Sequence, residues 1–532
     1  MGAPVNSPAV QAAIASNNLL FSYCILIVLG TVVVSIAIYG NIVHSVQYLR
    51  TLTCLNNDRQ KYFKLPNTMY GCFKQHLLYA PLFTRRHSKQ MRIGPIEMGI
   101  LPGRFQAFLL AGIFTMEAVL WAYGIEWHGP IMTLLQHLGN RAGTLAVVNM
   151  IPLVVLAGRN NPLIGLLNIS YDNFNLMHRW FGRIVVALAV SHGVAEIMSI
   201  VVGQQMHEKA KTPGIVIFSA TLKEKEAHFI IFGVVRFIRL ASLLYRNVGR
   251  NGTQAHVEAL PGDALRVTFL LARPWKFFPG QHIFLTMPSV GLWTSHPFSV
   301  AWSEAIPQSY RHPDPEKGYT DSIPQTTDIL ALPQTSISLV IRRRGGFTER
   351  LYRRALSSNN GRVTLSALIE GPYGGTQNLQ SYGTVMLFAG GVGIMHQIPF
   401  VRDLIASYAS GTSAVRRIVL IWVIQSPEHL EWIRPWMTMI LAMPKRRDVL
   451  RIQLFVTRPR SSKEIHSPSS TVQMFPGKPN VDALVEMESR DQVGAMAVSV
   501  CGPGGLGDDV RCAARRRQTT RNIDFFEEGF GW

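Results

Sequence analysis

Apolar residues fall into two regimes along this chain. Up to about residue 246 they form long runs, near 19–43, 104–124, 143–157 and 179–202; after 251 the runs are short and broken by Pro and Gly. Runs of the first kind are long enough, or nearly so, for the ~20 residues that a spanning helix needs. They predict membrane helices, with 143–157 the shortest and a last crossing over 227–245, where Arg236 and Arg239 must snorkel toward one face. Runs of the second kind predict strands. ALRVTFLLA (264–272) and HIFLTM (282–287) have the texture of a small antiparallel barrel. TVMLFAGGVGIMHQIPFVRDLIASY reads as strand, glycine turn and helix, and RIVLIWVIQ (417–425), RIQLFVTR (451–458) and MAVSVCGPGG (496–505) supply further buried strands of a parallel sheet.

The expected fold class is therefore multidomain: an α-helical transmembrane bundle, an antiparallel β-barrel and a parallel α/β nucleotide-binding domain. Its boundaries are a first helix with a basic loop (1–98), a helical membrane domain (99–246), the barrel (251–375) and the α/β domain (383–532). The Pro-rich stretch 303–336 reads as a surface insertion in the barrel.

Composition agrees with a membrane protein, since 48% of the 532 residues are apolar. The net charge of +20 does not point to nucleic acid, because the basic residues flank membrane segments and no aromatic-and-basic recognition module accompanies them. Segment 44–100, with Arg50, Arg59, Lys61, Lys64, Lys74, Arg85, Arg86, Lys89 and Arg92, lies in the cytosol by the positive-inside rule. Alternating the spans then puts everything after Arg246 in the cytosol as well. Residues 1–18 lack a charged n-region, so the first helix reads as a retained anchor. Five cysteines, four of them on the cytosolic side, predict no disulfide framework.

Chemistry concentrates at a few positions. His178 and His192 are fourteen residues apart in one apolar run, which on a helix is about 21 Å along nearly the same face. Such a pair can address two sites stacked across a bilayer as axial metal ligands, or can pack helices. Gly390, Gly391 and Gly393 let a strand-end backbone approach a pyrophosphate at a helix N-terminus. Arg344-Gly345-Gly346-Phe347-Thr348 offers a second glycine turn with a positive charge, whereas Arg342 and Arg343 read equally well as a solvated strand edge.

AGRNNPL (157–163), LMHRWFGR (176–183) and AVSHG (189–193) resemble the membrane core of the fungal ferric reductase family, relatives of the NADPH oxidase catalytic subunits. WKFFPGQHIFL followed by TSHPFSVAW resembles the flavin domain of the ferredoxin-NADP reductase superfamily. The resemblance implies FAD, NADPH and haem b as cofactors, with His178 and His192 as haem ligands. It implies that His296 contacts FAD phosphate or ribose, that Phe298 stacks on the isoalloxazine and that Ser299 approaches its N5, with Pro297, Gly280, Gln281, His282, Arg344, Gly346, Phe347, Thr348, Gly371 and Pro372 completing the flavin site. Gly390, Gly391, Gly393, Gly502, Pro503 and Gly504 would line the nicotinamide nucleotide, and Cys501 would lie near the nicotinamide unless it is simply a buried thiol. Arg458, with Lys478, could select a 2′-phosphate. A terminal aromatic, Phe530 or else Trp532, would cover the flavin.

In that family a second helix carries another histidine pair. Here the stretch 212–231 is too short and too charged to supply the two further crossings, so the implied haem cage is incomplete. The family implies reduction of ferric or cupric chelates for metal uptake, by an integral protein of the plasma membrane in contact with lipid and with cytosolic reductase domains. Two alternatives stand beside it: a superoxide-generating NADPH oxidase, and a haem-deficient relative without transmembrane electron transfer.

Overall fold

The computed structural model describes residues 8–55, 57–83, 90–94, 96–159, 161–206, 220–249, 252–273, 275–292, 294–306, 334–375, 377–459, 467 and 469–529. The chain opens with α1 (Pro8–Thr53), the short α2 (Thr68–Phe73) and a hairpin of β1 (Gln90–Ile93) and β2 (Ile96–Ile100). Next come α3 (Arg104–Ala122), α4 (Ile131–Ala157), α5 (Pro162–Leu167), α6 (Tyr171–Met206) and α7 (Ala220–Asn247). Two compact units result: Met1–Ser45 with Arg104–Arg239, and Val46–Gly103 with Leu240–Trp532.

Four helical segments of the described residues are long and apolar enough to cross a membrane: Ala15–Thr53, Arg104–Ala122, Ile131–Ala157 and Tyr171–Val202. The third corrects the short run 143–157, because α4 begins twelve residues earlier than the apolar pattern does. Arg141 is the reason. Only 4% exposed, it donates from Nε to Asn18 Oδ1 (2.6 Å) and from Nη1 to the carbonyls of Leu120 (2.6 Å) and Tyr123 (3.0 Å), so its guanidinium is held by neutral acceptors inside the bundle. One turn apart on α4, Gly139 and Gly143 let α6 come close: a Cβ on the first would lie 3.4 Å from Ala195 Cβ and on the second 3.1 Å from His192 Nδ1.

In the second unit, a barrel is built from β3 (Gln254–Leu260), β4 (Ala264–Leu270), β5 (Gln281–Thr286), β6 (His296–Ser299), β7 (Trp302–Ile306), β8 (Gln334–Arg342), β9 (Arg362–Ser366) and β10 (Leu368–Gly374), with α8 (Phe347–Leu356) between β8 and β9. Its strands form two antiparallel sheets, β10-β5-β6 and β7-β8-β4-β3-β9. Alternation explains the register: Leu265, Val267 and Phe269 of β4 all point inward at 0% exposure. Each such side chain contributes roughly 1.5–3 kcal/mol by leaving water.

The α/β part follows as β11 (Thr384–Gly390), α9 (Ile394–Ser410), β12 (Arg417–Ile424), α10 (Arg434–Ala442), α11 (Arg446–Val449), β13 (Leu450–Val456), β14 (Val472–Pro476), α12 (Val481–Arg490), β15 (Met496–Cys501), α13 (Gly504–Arg516) and β16 (Ile523–Glu528). Its sheet is parallel throughout, in the order β14-β13-β12-β11-β15-β16. Every residue of β11 is buried, as expected of a strand covered on both faces.

The basic segment after α1 is not a free loop but a strap on this domain. Gln60 Nε2 donates to Ala414 O (2.5 Å), Asn522 Nδ2 to Phe63 O (2.9 Å), and the Arg50 guanidinium sits 4.0 Å over the Tyr382 ring while donating to Ser381 Oγ (2.8 Å). Tyr382 in turn donates to Asp524 (2.7 Å), which pairs with Lys74 at 2.5 Å. Burial alone would push the Asp524 carboxyl up, but Lys74 and Arg50 outweigh it and hold it below the usual carboxylate range. Its contribution to stability is thus present above the unfolded pKa of about 3.9 and is lost as pH falls through the lower folded value. Removing one partner of a buried pair costs about 3–5 kcal/mol. Lys74→Met is expected to lower the unfolding temperature of the intact protein and to flatten its acid limb; a melting curve unchanged at pH 7 and at acid pH would contradict the role given to this pair.

Candidate active site

The barrel contributes one row of side chains. In the β5–β6 ladder His282 lies opposite Ser299, Ile283 opposite Phe298, Phe284 opposite Pro297 and Leu285 opposite His296. Directly opposed residues of an antiparallel pair project to one face, so Ser299 stands beside His282, and Tyr373 of β10 flanks His282 on the other side. His296 stacks on Phe347 (4.6 Å, 28°) and its Nε2 is buried with no partner among the described residues. Burial and the nearby Arg350 lower its pKa, so at neutral pH the imidazole is neutral. Beside it the N-terminus of α8 opens at Gly345 and Gly346, where a Cβ would meet nothing and Gly346 takes a left-handed φ of 61°.

An open, amide-lined turn with an unpartnered imidazole suits the phosphates of a flavin nucleotide. Arg344 starts that turn; its N–H is accepted by Thr348 Oγ1 (3.0 Å), which donates onward to Gly345 O (3.3 Å), so Thr348 closes the turn. Arg350 was not singled out by the sequence, although it follows Phe347 at helical spacing and so shares its face.

Four sequence-expected residues shape the framework around the site. Gly280, at φ 79°, lets the barrel meet α9: a Cβ there would lie 2.9 Å from Phe400 Cζ and 3.4 Å from His396 Cε1. Gln281 Oε1 accepts from Phe278 N (2.9 Å) and holds the preceding turn. Gly371 and Pro372 form the bulge that folds β10 over β5, with a Cβ on Gly371 only 3.3 Å from His282 O.

The α/β sheet reverses its strand order at β11, and the crevice beyond β11 and β15 is where such folds bind nucleotides. Both strand ends are glycine-rich for a steric reason. A Cβ on Gly393 would run into the Cys501 carbonyl, one on Gly390 into Pro503, and one on Gly502 would lie 2.8 Å from Gly390 N. Gly391, at φ 55°, faces open space, and its carbonyl accepts from Trp422 Nε1 (2.9 Å). Pro503 caps α13 and Gly504 is its first residue. Arg458 is exposed just past the end of β13, its backbone N–H donating to Gln425 O (3.0 Å).

Cys501 lies opposite Glu528 in the β15–β16 ladder. Burial first, and then Glu528 and Glu527, push its thiol well above the ordinary range, so it stays protonated. Here the two rows meet: Glu528 Oε1 is 4.0 Å from His282 Nδ1, which joins the Ser299 row to the Cys501 row. His396 of α9 completes the seam at 2% exposure. Neither Glu528 nor His396 was singled out from the sequence. Phe530 and Trp532 lie outside the described residues.

In the membrane unit, His178 Nδ1 lies 2.9 Å from Leu153 O and His192 Nδ1 2.8 Å from Gly139 O. A carbonyl only accepts, so each Nδ1 carries the proton and each Nε2 is left as the donor atom, the orientation a metal-bound imidazole takes. Leu153 and Gly139 are themselves fourteen residues apart on α4, which matches the histidine spacing on α6. This donor set suits haem iron, which His178 and His192 would hold through Nε2. Among the described residues no group of three or more His, Cys, Asp or Glu side chains converges as a metal site.

A helical unit long and apolar enough to span a membrane, joined to a flavin-type barrel and a parallel nucleotide domain, defines an integral membrane flavin reductase. Residues 142–245 match the family model for a ferric reductase like transmembrane component, 250–310 that for an FAD-binding domain, and 382–515 that for a ferric reductase NAD binding domain. The chain therefore carries, in order, a ferric reductase like transmembrane component, an FAD-binding domain and a ferric reductase NAD binding domain, and FAD and a nicotinamide nucleotide are its cofactors. Among similar proteins, ferric reductase transmembrane component 3 of Saccharomyces cerevisiae is 22% identical, with 94% of this chain and 76% of that one covered. Ferric/cupric reductase transmembrane component 2 of the same yeast is 22% identical, with 93% and 77% covered. Ferric/cupric reductase transmembrane component 1 of Candida albicans is 22% identical, with 88% and 68% covered.

Proposed function

We propose that this protein is an NADPH-dependent ferric or cupric chelate reductase of the plasma membrane, taking electrons from cytosolic NADPH to a chelate on the other side for metal uptake. The observation that carries the reading is the 4.0 Å approach of Glu528 to His282, because it sets the Ser299 row of the flavin barrel against the Cys501 row of the nucleotide domain. When bound, FAD converts a hydride into single electrons and haem carries them onward one at a time.

The chain's own residues do the rest. Residues 251–375 hold the flavin, with His296, Arg344, Arg350 and the α8 N-terminus at its phosphates, Phe298 against its ring and Ser299 at its reacting edge. Residues 383–532 hold the nucleotide, with the Gly390–Gly393 turn at its pyrophosphate, Arg458 and Lys478 at the 2′-phosphate and the neutral Cys501 thiol packed near the nicotinamide. In residues 99–246, His178 and His192 face haem.

Ser299→Ala or Cys501→Ala is expected to slow NADPH-to-dye transfer by roughly ten- to a hundredfold, with membrane insertion and FAD content kept. An unchanged rate would remove the residue from the hydride path. The reading as a whole is tested by ferrous-trap and superoxide assays run on one preparation. Trapped ferrous iron without superoxide supports it, whereas superoxide in place of ferrous iron would make the protein an oxidase. A second reading rests on the single histidine pair: a reductase that serves cytosolic acceptors only, recognised by dye reduction without any ferrous product across the membrane.

A further inference from the structure

Where α7 ends and the barrel begins, the surface changes character. The matched transmembrane component stops at residue 245 and the matched FAD-binding domain starts at 250, so the end of a membrane segment adjoins the first barrel strand. That end is fixed. Asn247 Nδ2 donates to Ile369 O of β10 (2.8 Å) and its Oδ1 accepts from Ile369 N (2.8 Å), while a Cβ on Gly249 would lie 3.2 Å from Ala272 Cβ, just past β4.

Against this end packs the loop that joins β4 to β5, residues 271–280. Cation–π contacts interlock the two in both directions: the Arg273 guanidinium of the loop sits 4.0 Å over the Tyr245 ring, and that of Arg246 sits 5.0 Å over the Trp275 ring. Lys276 Nζ lies 5.1 Å over Phe278. Beside these cations Leu244, Tyr245, Val248 and Phe278 are all exposed. The charge is one-sided, because the chain has no Asp or Glu from 227 to 257 or from 264 to 303, the two segments that build this surface.

Aromatic rings interleaved with Arg and Lys, at the point where a membrane segment ends, match the composition of a bilayer interface, where rings sit among headgroups and cations meet phosphates. We propose that Tyr245, Arg246 and Val248 at the end of α7, with Arg273, Lys276 and Phe278 of the barrel loop, dock the flavin barrel on the anionic phospholipid headgroups of the adjoining leaflet. A second copy of the chain is a poor occupant, since a two-fold contact would set this cationic patch against itself. Docking holds the flavin end of the electron path at a constant height beside the bilayer, which bears on transfer into the membrane unit and not on oxidation of NADPH. The proposal rests on the membrane reading of residues 142–245, and on neither haem nor the identity of the acceptor.

The test places the full chain, with FAD bound, in nanodiscs of phosphatidylcholine alone or of phosphatidylcholine with phosphatidylserine, and maps side-chain oxidation by hydroxyl radicals with mass spectrometry. Phe278 is the reporter, because it lies on the barrel. Its oxidation is expected to fall about threefold or more when phosphatidylserine is present, and to recover in about 1 M salt, where the screening length shrinks to about 3 Å. It should stay high in the double variant Arg273→Gln/Lys276→Gln. That variant should keep its FAD and an NADPH-to-dye rate within about twofold, and lose about tenfold in ferric-chelate reduction across a sealed membrane containing phosphatidylserine. The lipid and salt comparisons on the unaltered chain stand without the variant.

Equal Phe278 oxidation with and without phosphatidylserine would overturn the proposal, as would protection that arises in detergent and deepens with protein concentration, the signature of a second copy. A transmembrane rate unchanged in a variant that has lost its protection would overturn the role given to docking. Protection that depends on phosphatidylserine, in a protein that yields no ferrous product across the membrane, would support the docking and sink the metal-reductase reading.

Discussion

Replacing His178 with leucine is expected to abolish electron delivery across the membrane while leaving the cytosolic chemistry intact. The substitution removes the Nε2 donor but keeps an apolar side chain of similar bulk on α6, and the Leu153 carbonyl it frees lies inside a continuous helix. The α4–α6 contact should therefore survive, since it is made by the close approach at Gly139 and Gly143. Reduction of a ferric chelate across a sealed membrane should fall by about a hundredfold or more, with NADPH-to-dye transfer within about twofold. Haem absorbance per chain should fall with it. Retention of both the haem bands and the transmembrane rate would remove His178 from the electron path.

The second large effect is expected from Gly393→Ala. The added methyl would run into the Cys501 carbonyl, with Cys501 C at 2.5 Å and Gly502 N at 3.0 Å, and none of these is the end of a flexible side chain. The strand end that carries Cys501 must then shift, and a displacement of about 1 Å in a hydride-transfer site costs roughly a hundredfold. NADPH should bind more weakly and reduce the flavin slowly, whereas FAD content and flavin reduction by dithionite should stay unchanged. Normal NADPH kinetics in this variant would show that the crevice between β11 and β15 is not the nucleotide site.

Much of this architecture was legible in the sequence, and particular residues show why. Alternation in β4 and unbroken burial in β11 are direct projections of a half-covered and a fully covered sheet, so the strands at 264–270 and 384–390 fall where the pattern puts them. The two glycine motifs were legible for a similar reason, because each stands at a strand end of the same crevice. The start of α4 was not: Arg141 breaks the apolar run, and only its partners Asn18, Leu120 and Tyr123, distant in sequence, make it tolerable inside the bundle. The strap was hidden for the same physical reason. Gln60, Lys74 and Arg50 read as solvated loop residues, and their partners Ala414, Asp524 and Tyr382 lie more than three hundred positions away. Within the site, Glu528 and His396 carry no local signal, because what matters about them is the side chain each one meets across the seam.

The central claim is vectorial: electrons enter from NADPH on one side of a membrane and leave to a metal chelate on the other. The most direct test places the protein in sealed vesicles with NADPH on the side of the reductase domains and a ferric chelate with a ferrous trap on the opposite side. The account predicts NADPH-dependent ferrous product on the far side, lost in His178→Leu. Brisk dye reduction on the NADPH side with no ferrous product on the far side would contradict it.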